Sequence, residues 1–170
     1  MEFTVETTYD QKALTAMARA LRKTVRRKHS RRSHVFGWSA CLLGILLIFN
    51  AVEVNAKVII TSLAVIFMLG ALLFEDQLNG YIARKRGLPG LDRSSVTFHD
   101  KGYHSVTPIG SSDFSYDTIL RFAETNDYFV FIFSKSHAQV YAKNGLTGVS
   151  SEEFAAFISQ KIGKPVESES

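Results

Sequence analysis

The sequence predicts an α+β membrane protein, in which a two-helix transmembrane hairpin carries a small antiparallel β-sheet or barrel capped by a C-terminal helix. Three observations predict it. The runs Val35–Val52 and Val58–Phe74 are apolar and are split only by Glu53-Val54-Asn55-Ala56-Lys57. Each holds about 17–18 residues, enough to cross a hydrocarbon core about 30 Å thick. Basic residues crowd both ends of the pair, and beyond Leu91 the pattern becomes short alternating runs separated by turn residues, as antiparallel strands require. A chain of 170 residues that spends about 40 on a hairpin has room for one small domain.

In chain order, residues 1–9 form the first segment. Within it Phe3, Val5 and Thr7 alternate with Glu2, Thr4, Glu6 and Thr8, the period of a half-buried strand. Segment 10–34 opens on Asp10, an N-cap whose carboxylate accepts from first-turn amides. Leu14, Met17, Ala18, Leu21 and Val25 then recur at helical spacing, with basic residues on the opposite face. Arg19, Arg22, Lys23, Arg26, Arg27, Lys28, Arg31 and Arg32 make this a basic amphipathic juxtamembrane helix. Its cations are candidate contacts for anionic lipid, together with Arg84-Lys85-Arg86 beyond the hairpin. A topology signal whose apolar stripe packs on the domain is the competing reading. Nucleic acid is an unsuitable partner, because the run is tied to the membrane and lacks interleaved aromatics.

Segment 35–74 is the hairpin. Trp38 stands near its start as an interfacial anchor. Gly37 and Gly44 permit close helix contact, although seven residues apart they make no small-xxx-small motif. No charge falls between Val58 and Phe74, so an ion pathway lacks the polar groups it needs. Lys and Arg are retained on the cytoplasmic side, so the expected topology is multi-pass in the cell membrane with both termini cytoplasmic. A cleaved signal peptide is the poorer reading, since the region ahead of the run is far too long. The sole cysteine, Cys41, lies in the first run, which excludes an internal disulfide.

Segment 75–91 leaves the membrane as a polar helix, Glu75–Arg86, stopped by Gly87-Leu88-Pro89-Gly90. Segment 92–164 is the domain. Its expected strands are Ser95–His99, Tyr103–Thr107, Ser112–Tyr116, Thr118–Thr125, Tyr128–Phe133 and Ala138–Ala142, with tight turns at Asp100-Lys101-Gly102 and Asn126-Asp127. Tyr128–Phe133 is the most buried-looking strand. Ser150 and Glu153 form a capping box. Phe154, Phe157, Ile158 and Ile162 follow as one stripe covering the open end of the sheet, and Gly163-Lys164-Pro165 ends the helix. Residues 165–170 read as a frayed acidic tail.

This order of elements resembles the bacterial YcxB-like membrane-protein family, whose C-terminal part is a pleckstrin-homology-like domain. The resemblance is carried by Val96–Gly102 and by Tyr116 with Ile119, where tyrosine stands in place of the usual tryptophan. It is carried further by Phe122–Phe129, which holds the Glu-Thr and Tyr-Phe pairs, and by Lys143 without its preceding proline. It implies a pleckstrin-homology-like barrel, completed if the first strand joins it and the hairpin is inserted after that strand. It implies no reaction.

The chemistry carried by the residues is sparse. His99 and His104 flank a turn without a third ligand, so no metal or other cofactor is expected. No phosphate-binding loop or nucleophile elbow is present, which argues against an enzyme. Tyr103, Tyr116 and Tyr141, with Lys143, are the candidate partner-binding face. The expected function is a non-enzymatic membrane-anchored binding or regulatory module whose cytoplasmic domain binds another membrane protein, as adaptor, regulator or immunity-type protector. The alternatives are an anionic-lipid or membrane-surface sensor acting through the basic helix, and a self-associating structural membrane protein forming a homo-oligomer.

Overall fold

The computed structural model describes residues 2–87 and 90–168. Leu88 and Pro89 of the expected helix stop lie outside them, as do Met1 and the last two residues of the tail. The described residues form β1 (Phe3–Thr8), α1 (Gln11–Lys23), α2 (Arg27–Phe49), α3 (Ala56–Leu73) and α4 (Glu75–Arg86). The domain continues with β2 (Arg93–Phe98), β3 (Tyr103–Thr107), β4 (Gly110–Phe114), β5 (Arg121–Glu124), β6 (Tyr128–Ile132) and β7 (Ala138–Ala142). It ends with β8 (Leu146–Thr147), α5 (Ser151–Ile162) and β9 (Val166–Ser168).

The strands make two sheets and no closed barrel among the described residues, in the orders β4-β3-β2-β1-β8 and β7-β6-β5-β9. Short 3-10 turns at Tyr116–Thr118 and Lys143–Gly145 carry the chain from one sheet to the other at two corners. β1 pairs antiparallel with β2 along its whole length, from Phe3 opposite Phe98 to Thr8 opposite Arg93. The strand before the apolar hairpin is thereby built into the sheet that follows it. Two strands escape the sequence pattern. β8 is only two residues long, too short to show a period. β9 arises where a frayed tail is expected. Val166–Ser168 runs parallel to β5, and Glu167 Oε1 accepts from Arg121 Nη1 at 2.6 Å.

Between the sheets the core is aromatic. Phe98 lies 5.9 Å from Phe131, 5.5 Å from Tyr141 and 5.0 Å from Phe154 between ring centroids, all edge-to-face, the geometry that aromatic quadrupoles favour. α5 supplies Phe154 and Ile158, both fully buried. It begins at the Ser150–Glu153 capping box and ends at Gly163, whose φ of 64° suits a left-handed cap. β6 is buried on both faces. Phe129 and Phe131 enter the aromatic core, while Val130 and Ile132 meet Ala13, Ala20 and Leu21 of α1 on the outside. Its unbroken apolar run follows from that double cover.

The basic helix and the first apolar run divide differently from the sequence expectation. α1 stops at Lys23, the chain turns at 24–26, and α2 starts at Arg27. Thr24 folds its hydroxyl back onto the Ala20 carbonyl at 2.6 Å, and the Arg26 amide reaches the Leu21 carbonyl, so the turn stays hydrogen-bonded while the axis breaks. The hairpin helices are therefore Arg27–Phe49 and Ala56–Leu73, with Asn55 capping the second through the amides of Lys57 and Val58. Both are long and apolar enough to cross a membrane, and only 17% and 6% of their most apolar windows are buried. Gly37 and Gly44 do meet α3. A Cβ at Gly37 would lie 2.8 Å from Leu72 Cδ2, and one at Gly44 2.5 Å from Val65 Cγ2. Seven residues are about two turns, which places both glycines on one face.

Candidate membrane-surface site

The juxtamembrane cations separate into two sets. Arg22 grips Asp76 at the start of α4 with both arms of its fork: Nε donates to Oδ1 and Nη2 to Oδ2, each at 2.6 Å. Arg19 Nε stands 3.6 Å from the same carboxylate. Asp76 is only 6% exposed, and a carboxylate so placed is tolerable because two guanidiniums and a bidentate geometry replace its water. The contact locks α1 to α4, which also touch where Gly80 of α4 passes the backbone of Thr15. Arg26 Nε donates to the Lys135 carbonyl at 2.6 Å, tying the turn to the loop between β6 and β7. Arg19, Arg22 and Arg26 thus hold the domain to the helices. The sequence signal for this is Asp76 itself, an acid two residues beyond a charge-free apolar run; helical spacing could not show that it faces α1.

The second set lies where α1 ends and α2 begins. Lys23, Arg27 and Arg31, together with His34 and Trp38, line an open cavity of about 780 Å³. Arg27 and Arg31 are exposed and have no carboxylate partner among the described residues, and no Asp or Glu lines the cavity. The nearby Glu75 is engaged by His34 Nε2 at 2.7 Å and lies 3.7 Å from Arg22, and both of these residues also line the cavity. Trp38 is half exposed at the apolar end. Lys28 and Arg32 are exposed. Arg84, Lys85 and Arg86 form the last turn of α4, where cations complement the helix dipole, and Lys85 Nζ sits 5.0 Å from the Tyr81 ring.

The tyrosines expected to form a binding face do not form one. Tyr103, Tyr116 and Tyr141 are 2%, 4% and 1% exposed. Their rings fill the aromatic core and their hydroxyls are satisfied internally. Tyr103 and Tyr141 both donate to Gln139 Oε1, and Tyr116 donates to the His99 carbonyl at 2.7 Å. Burial pushes the pKa of all three well above the ordinary tyrosine value. Lys143 is also inside the fold's own chemistry, with Nζ 2.6 Å from Glu124 Oε1 and 5.1 Å from the Phe129 ring. His99 and His104 do not meet as a pair, since His104 Nδ1 lies 2.6 Å from Asp113 Oδ1 instead. Among the described residues no three His, Cys, Asp or Glu side chains gather where they could hold a metal.

A second concavity, of about 1000 Å³, opens beside the edge strand β4. Leu14 and Met17 of α1, Leu91, Ile109 and Phe114 give it an apolar floor, while Ser111 and Ser112 line its strand side. Among the described residues β4 pairs only with β3, so its outer backbone groups are left without a strand partner there. Sequence reasoning missed the groove, because it is assembled from a helix, a hairpin and the start of β7.

Residues 98–160 match the family model described as YcxB-like protein. Over those residues, 63 of the 170, the chain is similar to that family. The match runs from the end of β2 into α5 and contains both members of the Glu124–Lys143 pair. The match leaves out β1, which lies between β2 and β8 in the first sheet. No curated protein and no solved structure matches the chain.

Proposed function

We propose that the protein is a membrane-anchored, non-enzymatic binding module. Its hairpin spans the membrane, both ends face the cytoplasm, and its pleckstrin-homology-like domain binds an extended juxtamembrane segment of another membrane protein. The groove beside β4 carries this reading. An unpaired strand edge offers main-chain donors and acceptors, and an apolar floor beside it accepts alternate side chains, which is how extended segments add to a sheet. The groove is also lined by Ala83 and Arg84, in the helix that directly continues the hairpin, so a segment docked there leaves a membrane at the same level.

Anchoring is supported by the exposed apolar surface of α2 and α3. Phe36, Leu47, Ile60, Phe67 and their neighbours point outward, whereas the core helix of a water-soluble protein would bury them. Pairing of β1 with β2 brings both ends of the hairpin to one side, and the cations at those ends favour the cytoplasmic one. Two sheets with a C-terminal helix over their open end support the pleckstrin-homology-like assignment, an analogy of fold that names no ligand.

The test places a photocrosslinking residue at Ser111 in the full chain, in native membranes, with a control position at Glu152 on the exposed side of α5. A discrete protein adduct at Ser111, absent at Glu152 and abolished by Ile109→Glu, is expected. Equal labelling at both positions, or adducts to lipid alone, would refute partner binding in the groove. A second reading, recognition of anionic lipid, has its own observation in the carboxylate-free cavity at Arg27 and Arg31.

A further inference from the structure

We propose that the cavity at the α1–α2 break is a built site for the phosphate headgroup of one anionic phospholipid. Phosphate would be held by Arg27 and Arg31, with Lys23 at the rim. Trp38 and Val35 would carry the glycerol and first acyl carbons. This deepens the lipid reading and rests on the hairpin's lying in a bilayer. It narrows eleven candidate cations to Arg27 and Arg31, the two that line this cavity with no carboxylate partner among the described residues.

Four features of the molecule support it. Arg27 and Arg31 are one helical turn apart on one face of α2, and both line the cavity, which lets one anion accept from both. Among the described residues neither is neutralised, whereas Arg19 and Arg22 are held by Asp76, and Arg26 by the Lys135 carbonyl. The helix break adds the end of α1 as a second wall, which makes the surface concave; a continuous helix would have been convex there. Finally, the cavity is polarised along its length. Arg31 and Trp38 are seven residues apart, about 10 Å along the helix, and both line it. The cationic end therefore stands about one headgroup above an aromatic ring suited to the interface. A free phosphate ion would use only the upper half.

Trp38 is the only tryptophan, so its emission reports directly on the site. The full chain in neutral detergent is titrated with short-chain phosphatidylglycerol, short-chain phosphatidylcholine or inorganic phosphate. Phosphatidylglycerol is expected to change Trp38 emission saturably, with little response to the other two. Arg27→Gln with Arg31→Gln should weaken that binding by at least about tenfold, the loss of two charge-assisted hydrogen bonds. Arg84→Gln with Lys85→Gln, an equal loss of charge elsewhere, should change it by less than about twofold. Arg27→Lys with Arg31→Lys keeps the charge and should recover most of the binding, which guards against loss of fold in the neutral variant.

Equal weakening by the two neutralised pairs would reduce the site to a charged surface and overturn the proposal. So would a phosphatidylcholine response equal to that of phosphatidylglycerol. Saturation by inorganic phosphate alone would leave an anion site with no lipid component, which also overturns it. Flotation of the protein with phosphatidylcholine vesicles separates this failure from failure of anchoring. A protein that floats but shows no phosphatidylglycerol selectivity lacks the site, and one that does not float lacks the anchor.

Discussion

Arg19 and Arg22 stand eight and nine residues before Arg27 and Arg31, yet the fold treats the two pairs as different materials. The first pair faces α4 and closes on buried Asp76. The second lines a cavity without a carboxylate, whose wall Arg22 also reaches while it holds Asp76. Composition and spacing are nearly the same, and the break at residues 24–26 separates their fates. A cluster of cations in a sequence is therefore a weak guide to which charges stay available to a ligand. What matters is which charges the protein has already matched internally, and only tertiary packing decides that.

That contrast can be broken or sharpened by experiment. The largest effect removes the platform under both pairs. The raised pKa values of Tyr103, Tyr116 and Tyr141 mean that folding favours their neutral forms. Their contribution is fully present below the unfolded value, about pH 10, and is lost as pH rises above it. Tyrosinate absorbance and loss of sheet ellipticity should then appear together in one cooperative alkaline transition. Smooth ionisation with the sheet intact would contradict their burial. Next in size, Asp76→Ala leaves Arg22 facing a partly buried site without its acceptor, at a cost of about 3–5 kcal/mol. Thermal unfolding in detergent should show this as a large fall in midpoint.

Gly80→Val tests the same helix contact without touching charge. Its Cβ would lie 2.8 Å from the Thr15 amide nitrogen and 3.0 Å from its Cα, so α1 and α4 must separate, costing about 1–3 kcal/mol. A cysteine pair placed across the two helices should crosslink in the parent protein and poorly in this variant. The smallest effect completes the comparison. Arg27→Gln with Arg31→Gln should shift unfolding by no more than about 0.5 kcal/mol, as expected for exposed side chains away from any packing feature. A loss approaching that of Asp76→Ala would mean that the second pair is structural as well.

Much of the architecture was legible because local chemistry and tertiary packing agree. The alternation in Phe3–Thr8, the Asp10 cap, the Ser150–Glu153 box and the turn before Gly102 all sit where their residue types place them. The misreadings have particular causes. A tyrosine carries a hydroxyl at the end of a large apolar ring, so Tyr103, Tyr116 and Tyr141 looked suited to a surface. Gln139 and the His99 carbonyl satisfy those hydroxyls internally, and nothing within a few residues of each tyrosine announces it. The helix break was hidden because the run from Thr24 to Arg26 has no proline or glycine. The tail became a strand through Arg121 and the edge of β5, both more than 40 residues away.

The pairing of β1 with β2 also bears on how the molecule is made. Phe3 precedes both apolar helices, and its partner Phe98 follows 95 positions later. Between them lie both apolar helices. If the hairpin spans a membrane as proposed, the first strand must remain unpaired until the hairpin has been translated and its far end has returned to the same compartment. Completion of the sheet then becomes a checkpoint on insertion. If a chain left one helix on the wrong side, its opening strand would be stranded across the bilayer, its aromatic core would lack Phe3 and Val5, and quality-control proteases would have an unfinished edge to recognise.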